Sequence, residues 1–115
     1  MRKKPTKNDL ENMKNLLKPP ANIKLLISAI CILFGVSTDW KSKHLLFSRP
    51  NLFQQFVEFD KEQIDRLMIE RLKPIVEDPD FNFDVVCKCF KSAAPFVNWV
   101  DEMYKFGVNF NNITY

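Results

Sequence analysis

Residues 18–40 read KPPANIKLLISAICILFGVSTDW, and their reading decides the fold. Ile23, Leu26, Ile27, Ile30, Cys31 and Phe34 recur at i, i+3, i+4, i+7, i+8 and i+11, which lines them up on one stripe of an α-helix. Leu25, Ala29, Ile32 and Leu33 widen that stripe until only Asn22, Lys24 and Ser28 are left for water. A helix this apolar has to be covered by several other elements, so it is the expected centre of a helical core. Pro19 and Pro20 suit a helix's first turn but not its interior, so the chain breaks or bends before Ala21. Gly35 is the expected stop.

On the N-terminal side, residues 1–6 form a basic lead. Asn8 is the predicted cap of a first helix through Leu10, Met13, Leu16 and Leu17, a narrow seam suited to one partner helix. On the C-terminal side, Ser37-Thr38-Asp39 offers caps for a short helix from Trp40 to Phe47. Its core candidates are Trp40, Leu45, Leu46 and Phe47, with Lys41 and Lys43 facing out. Ser48 and Pro50 then open another helix through Leu52, Phe53, Phe56, Val57 and Phe59. Asp60 caps a longer one, Glu62 to Val76, with Ile64, Leu67, Met68, Leu72 and Ile75 as its stripe and Asp65, Arg66, Glu70, Arg71 and Lys73 solvated. Asn82 caps a helix holding Asp84, Val85, Val86, Lys88, Cys89 and Phe90. After Ser92-Ala93-Ala94-Pro95 comes a last helix, with Phe96, Val97, Val100, Met103 and Tyr104 inward and Trp99 closing the core; the stretch GVNFNNITY from Gly107 reads as a frayed end.

The whole is therefore an all-α domain, a compact bundle of about six short helices behind the N-terminal one. Its 115 residues suit a single domain, and eleven Phe against two Tyr and two Trp suit a core of large apolar plugs. The apolar run Leu25 to Val36 holds 12 residues, short of the roughly 20 that cross a bilayer. A signal peptide is also a poor match, because a Pro-Pro pair and many polar residues precede the run.

The formal charge is +3, unevenly spread. Residues 1–18 carry +4, residues 19–57 carry +3 with Asp39 as their one acid, and residues 58–84 carry −5. Such polarity predicts one face for an acidic partner and another that repels it. A basic lead by itself is weak support for a nucleic-acid partner.

Chemistry-bearing patterns are missing. Two glycines, at 35 and 107, cannot build a phosphate loop, and no nucleophile elbow, Ser-x-x-Lys or His-Glu-x-x-His occurs. Cys87-x-Cys89 with the one histidine, His44, falls short of four metal ligands, and three cysteines with Cys31 on the apolar stripe read as thiols in a reducing compartment. His44 reads as a helix-surface residue, and Asn112-Ile113-Thr114 as an accidental glycosylation triplet. The chain is thus expected to be a binding module with no catalytic residue, metal or cofactor, not an enzyme.

The order of features resembles the microtubule-binding domain at the stalk tip of dynein heavy chains. The pieces that carry the resemblance run from about Leu10 to Phe106: Lys18-Pro19-Pro20-Ala21, Ile23-Lys24-Leu25, Ala29-Ile30-Cys31 with Gly35, Asp39-Trp40-Lys41, Phe59-Asp60-Lys61 with Ile64, Asp78-Pro79-Asp80-Phe81, and Ser92-Ala93-Ala94 before Trp99-Val100. The resemblance implies a division into a basic lead and stub of the first coiled-coil stalk helix (1–18), the microtubule-binding domain (19–106) and a frayed tail (107–115). It implies that Pro19 and Pro20 form the stalk junction. Lys24, Arg49, Lys88 and Lys91 are the implied contacts to the acidic surface of α/β-tubulin, and Asp84 the implied affinity-tuning acid. The implied context is an ATP-driven, minus-end-directed motor at the cytoskeleton, in cytoplasm or axoneme, with the rest of the heavy chain as partner. Phe90 replaces a small residue of the family, Ala94 and Asn98 lack a cation sometimes found there, and Asp101-Glu102 adds acids to the last helix, so weaker binding is implied. Only 18 residues precede the double proline and the chain stops soon after Phe106, so a fragment of a motor or a truncated relic is expected. The alternative is a small helical protein that binds nucleic acid through Arg2 to Lys18, or an inactive remnant.

Overall fold

The structure is a computed structural model and describes residues 4–16 and 18–113. Seven α-helices make up the described chain: α1 (Lys7–Lys14), α2 (Ala21–Leu33), α3 (Trp40–Phe47), α4 (Leu52–Val57), α5 (Arg66–Val76), α6 (Phe83–Cys89) and α7 (Ala94–Phe110). Two 3-10 turns, Lys61–Gln63 and Lys91–Ala93, lie before α5 and α7. The all-α bundle expected from periodicity is present, with six helices after the double proline.

Helix α2 is the hub, packed against α3, α5 and α7. Ile23, Leu26, Ala29, Ile30 and Cys31 are fully buried, and Ile32 and Leu33 nearly so. Each such aliphatic side chain gains about 1.5–3 kcal/mol on burial, whereas a β-branched residue costs a few tenths in helix propensity. Burial therefore makes this segment helical. Gly35, at φ +71°, ends it: the Gly35 N–H donates to the Ile32 carbonyl at 3.1 Å and the Val36 N–H to the Cys31 carbonyl at 3.0 Å. Beyond that end, Phe56 meets Phe34, Phe96 and Trp99 edge-on at 5.0, 5.2 and 4.8 Å, and Trp99 closes the core as expected.

Several boundaries differ from the sequence reading. Thr6, not Asn8, caps α1 through a reciprocal box: the Asp9 N–H donates to the Thr6 hydroxyl at 3.1 Å and the Thr6 N–H to the Asp9 carboxylate at 3.0 Å. Leu17, expected at the end of that seam, lies outside the described residues. Pro20 is the extended residue before α2, ahead of its first turn. Ser48 closes α3, its hydroxyl donating to the His44 carbonyl at 2.7 Å, and Asn51 precedes α4.

The expected Glu62–Val76 helix is divided because two aspartates compete as caps. Asp60 caps only the 3-10 turn, while Asp65 accepts from the Met68 N–H at 2.9 Å and starts α5 afresh. Ile64, Leu72 and Ile75 are buried as expected and Ile69 joins them, whereas Leu67 is left 65% exposed. Trp40 and Leu45, expected in the core, are exposed, since the eight-residue α3 lies against the bundle on one side only and buries just Leu46 fully. The expected frayed end instead prolongs α7 to Phe110. Gly107 is buried there, with no room for a side chain: a Cβ would stand 2.6 Å from Ile64 Cγ2 and from Ile69 Cδ1.

Candidate functional site

The first turn of α2 and the last turn of α6 meet at one corner. Pro20 is fixed in extended geometry (φ −62°, ψ 166°), so the chain enters α2 sharply, and its carbonyl accepts the Lys24 N–H at 3.0 Å. Asn22 and Ile23 turn inward, which leaves Lys24 exposed in the same turn. That turn holds no acidic residue, so the positive end of the helix dipole adds to the lysine's charge.

Asn22 was expected to face water but is 7% exposed. It sits four, seven and eleven residues before Leu26, Ala29 and Leu33, all buried, and that spacing is the signal that places it on the inner stripe. Its side-chain amide donates to the Cys89 sulfur at 3.5 Å. Lys88 precedes Cys89 and Lys91 follows two residues later, both exposed. With consecutive Cα atoms ~3.8 Å apart, the backbones of Lys24, Lys88 and Lys91 lie within about 15 Å of the Asn22–Cys89 contact. Among the described residues none of the three lysines is in an ion pair.

Arg49 is held elsewhere. It is half-buried just beyond α3, and its guanidinium donates to Gln55 Oε1 at 2.9 Å. Among the described residues no hydrogen bond or ion pair joins it to the α2–α6 corner. Asp84 is exposed in the first turn of α6, one turn ahead of Lys88 at i to i+4, and no ion pair joins it to a cation among the described residues. It lines a cleft of about 290 Å³ with Phe81, Val97 and Asp101.

Helix α1 meets the same corner from outside. It packs on the 3-10 turn that carries Lys91, where the Asn12 amide donates to the Ser92 hydroxyl at 2.8 Å. The segment before Pro19-Pro20 and the loop between α6 and α7 are therefore in direct contact. Sequence reading missed this joint, since Asn12 and Ser92 stand 80 residues apart with no shared pattern.

Comparison with known proteins gives a consistent result. The family described as the microtubule-binding stalk of dynein motor matches residues 3–114. The cytoplasmic dynein heavy chain of Caenorhabditis elegans is 30% identical over 95 residues, 81% of this chain and 2% of the relative. That of Drosophila melanogaster is 32% identical over 96 residues, 81% of this chain and 2% of the relative. The dynein-1-beta heavy chain of the flagellar inner arm I1 complex of Chlamydomonas reinhardtii is 24% identical over 102 residues, 89% and 2%. The chain thus spans about 2% of the length of these relatives, and the matched part is the stalk region. On the strength of the family match, this chain belongs to the dynein microtubule-binding stalk family.

Proposed function

We propose that this chain binds the acidic surface of α/β-tubulin in microtubules through Lys24, Lys88 and Lys91, with Arg49 as a flanking contact and no catalysis of its own. The observation that carries the proposal is the Asn22–Cys89 contact, which gathers three exposed, unpaired lysines from distant parts of the sequence. Asp84, i to i+4 with Lys88, tunes affinity by competing for its ammonium group. Pro19 and Pro20 act as the junction at which a stalk helix continuing α1 meets the domain. In its wider setting the domain would be the track-binding part of an ATP-driven, minus-end-directed motor in cytoplasm or axoneme, with the rest of a heavy chain as its partner.

Co-sedimentation with polymerised tubulin tests the site. The full chain should pellet at low salt and release as salt rises, and Lys24→Glu and Lys88→Glu should each weaken binding about tenfold. Equal pelleting of all three forms would overturn the assignment. The nucleic-acid alternative gains no support from α1, where Lys14 pairs with Glu11 at 3.6 Å.

A further inference from the structure

Helix α3 presents a face that no described residue covers. At 100° per residue, Trp40, His44, Lys41 and Leu45 follow one another within 140° of arc, and all four are exposed, Trp40 at 67% and Leu45 at 59%. The buried or half-buried residues Ser42, Lys43, Leu46 and Phe47 fill the rest of the circle, with Phe47 next to Trp40. The helix is therefore oriented unambiguously, and two large apolar side chains flank a lysine on its outer surface.

Asp39 fixes the start of α3 by accepting from the Ser42 N–H at 2.8 Å and the Ser42 hydroxyl at 3.1 Å. That cap holds Trp40 as the first helical residue, so its indole is presented on an ordered turn. An indole on a fixed backbone has only two side-chain torsions to lose when a partner covers it.

The charge around the face selects the partner. Lys41 lies within it, Lys43 beside it and Arg49 just past the helix's end, while Asp39, committed to the cap, is the one acid of residues 19–57. An acidic surface with apolar side chains between its carboxylates is complementary to that arrangement. Arg49, the flanking contact proposed above, follows the C-terminal end of α3, so the face adjoins that one cation.

We propose that the Trp40–Leu45 face of α3 is a second, apolar anchor on the same acidic microtubule surface, supplying the part of the affinity that salt does not screen. This rests on the microtubule-binding reading of the lysines, and the two respond differently to salt. A lysine contact weakens as counterions compete, whereas burial of an indole does not.

The test is co-sedimentation of the full chain with polymerised tubulin at two salt concentrations, for the parent chain, W40A, L45A and K24E. W40A should lower affinity about tenfold and L45A several-fold at both salts, leaving the salt dependence unchanged. K24E should flatten the salt dependence. Far-UV circular dichroism and melting temperature should match the parent for W40A and L45A, because both side chains are exposed. Parent-like pelleting of W40A and L45A with weakened K24E would overturn the anchor and leave the lysine reading standing. Failure of the parent chain to pellet at low salt would overturn both. A dimer in sedimentation velocity that W40A dissociates would assign the face to a second copy, and that too would overturn the proposal.

Discussion

The side-chain amide of Asn22, almost wholly buried, donates to the sulfur of Cys89, an exposed residue 67 positions later, at 3.5 Å. The donor is the costly member of this pair, because an amide N–H without an acceptor inside the protein loses its solvation uncompensated, about 1–3 kcal/mol. Cys89→Ala is therefore expected to destabilise the domain by about that amount, and Cys89→Ser, which keeps an acceptor, by less. Thermal melts check this: one kcal/mol corresponds to about 4–8 °C in a domain of this size class. Equal melting temperatures for the two variants would show that the amide finds another partner.

Gly107 and Gly35 should respond differently to alanine. Mid-helix propensity alone favours Gly107→Ala by up to about 1 kcal/mol. The new Cβ would meet Ile64 Cγ2 and Ile69 Cδ1 at 2.6 Å, however, and Ile64 is fixed by its branching at Cβ. Overpacking of this kind costs about 1–3 kcal/mol, so net destabilisation is expected. Gly35→Ala meets no atom within 4 Å, and its cost comes from φ +71° alone, about 1–2 kcal/mol. Paired Gly→Ala and Gly→Asn melts separate the two causes: asparagine tolerates the left-handed region at 35 and brings a larger clash at 107.

The three thiols should react in order of exposure. Cys89 is exposed and Cys87 half-buried, while burial, the dominant influence, raises the Cys31 thiol above its ordinary value of 9.0, with Lys43 opposing and Asp39 adding. A thiol-specific reagent should label Cys89 at once and Cys31 only at the rate of global opening. A raised thiol pKa contributes stability that is intact below 9.0 and declines as pH rises past it, because the unfolded chain ionises first. Urea midpoints followed upward from pH 8 should fall, and Cys31→Ala, although less stable throughout, should lose the dependence that this thiol contributes.

Asp39 gives a pH effect of the opposite sign. The Ser37 hydroxyl and the Ser42 N–H hold its carboxyl below its ordinary value. The cap is thus fully present above that ordinary value and is lost as pH falls through the lowered one. Protection of the Ser42 amide, corrected for its intrinsic exchange rate at each pH, should fall on acidification, and Asp39→Asn, a good cap without a charge, should remove that dependence.

How much of this was legible in the sequence depends on how local the cause is. Helix α2, its glycine stop, the Asp39 and Asn82 caps and the inward face of α7 follow from spacing within one turn or two. Each was readable from residues that are also neighbours in the fold. The break at Asp65 was not, because Asp60 is an equally good cap and the packing of Ile64 and Ile69 beside the distant Gly107 has no local signal. Trp40 and Leu45 were misplaced because hydrophobicity says that a side chain gains from burial, not whether a partner stands opposite. For the candidate site, the residue types of Lys24, Lys88 and Lys91 could be named, but the Asn22–Cys89 and Asn12–Ser92 joints near them rest on side chains that no periodicity links.

The carbonyl of Ile64 lies between the 3-10 turn and α5, and the Asn111 amide, 47 residues later, donates to it at 2.8 Å while also bonding the Gly107 carbonyl at 2.9 Å. During synthesis the middle of the chain leaves the ribosome well before this donor does. Helices α2 to α5 can collapse at that stage, but the seam between the 3-10 turn and α5 stays unlatched and the slot for Gly107 stays vacant. The domain therefore acquires its final cooperativity only when the closing turn of α7 arrives, so native packing is completed after translation has passed Asn111 rather than helix by helix along the way.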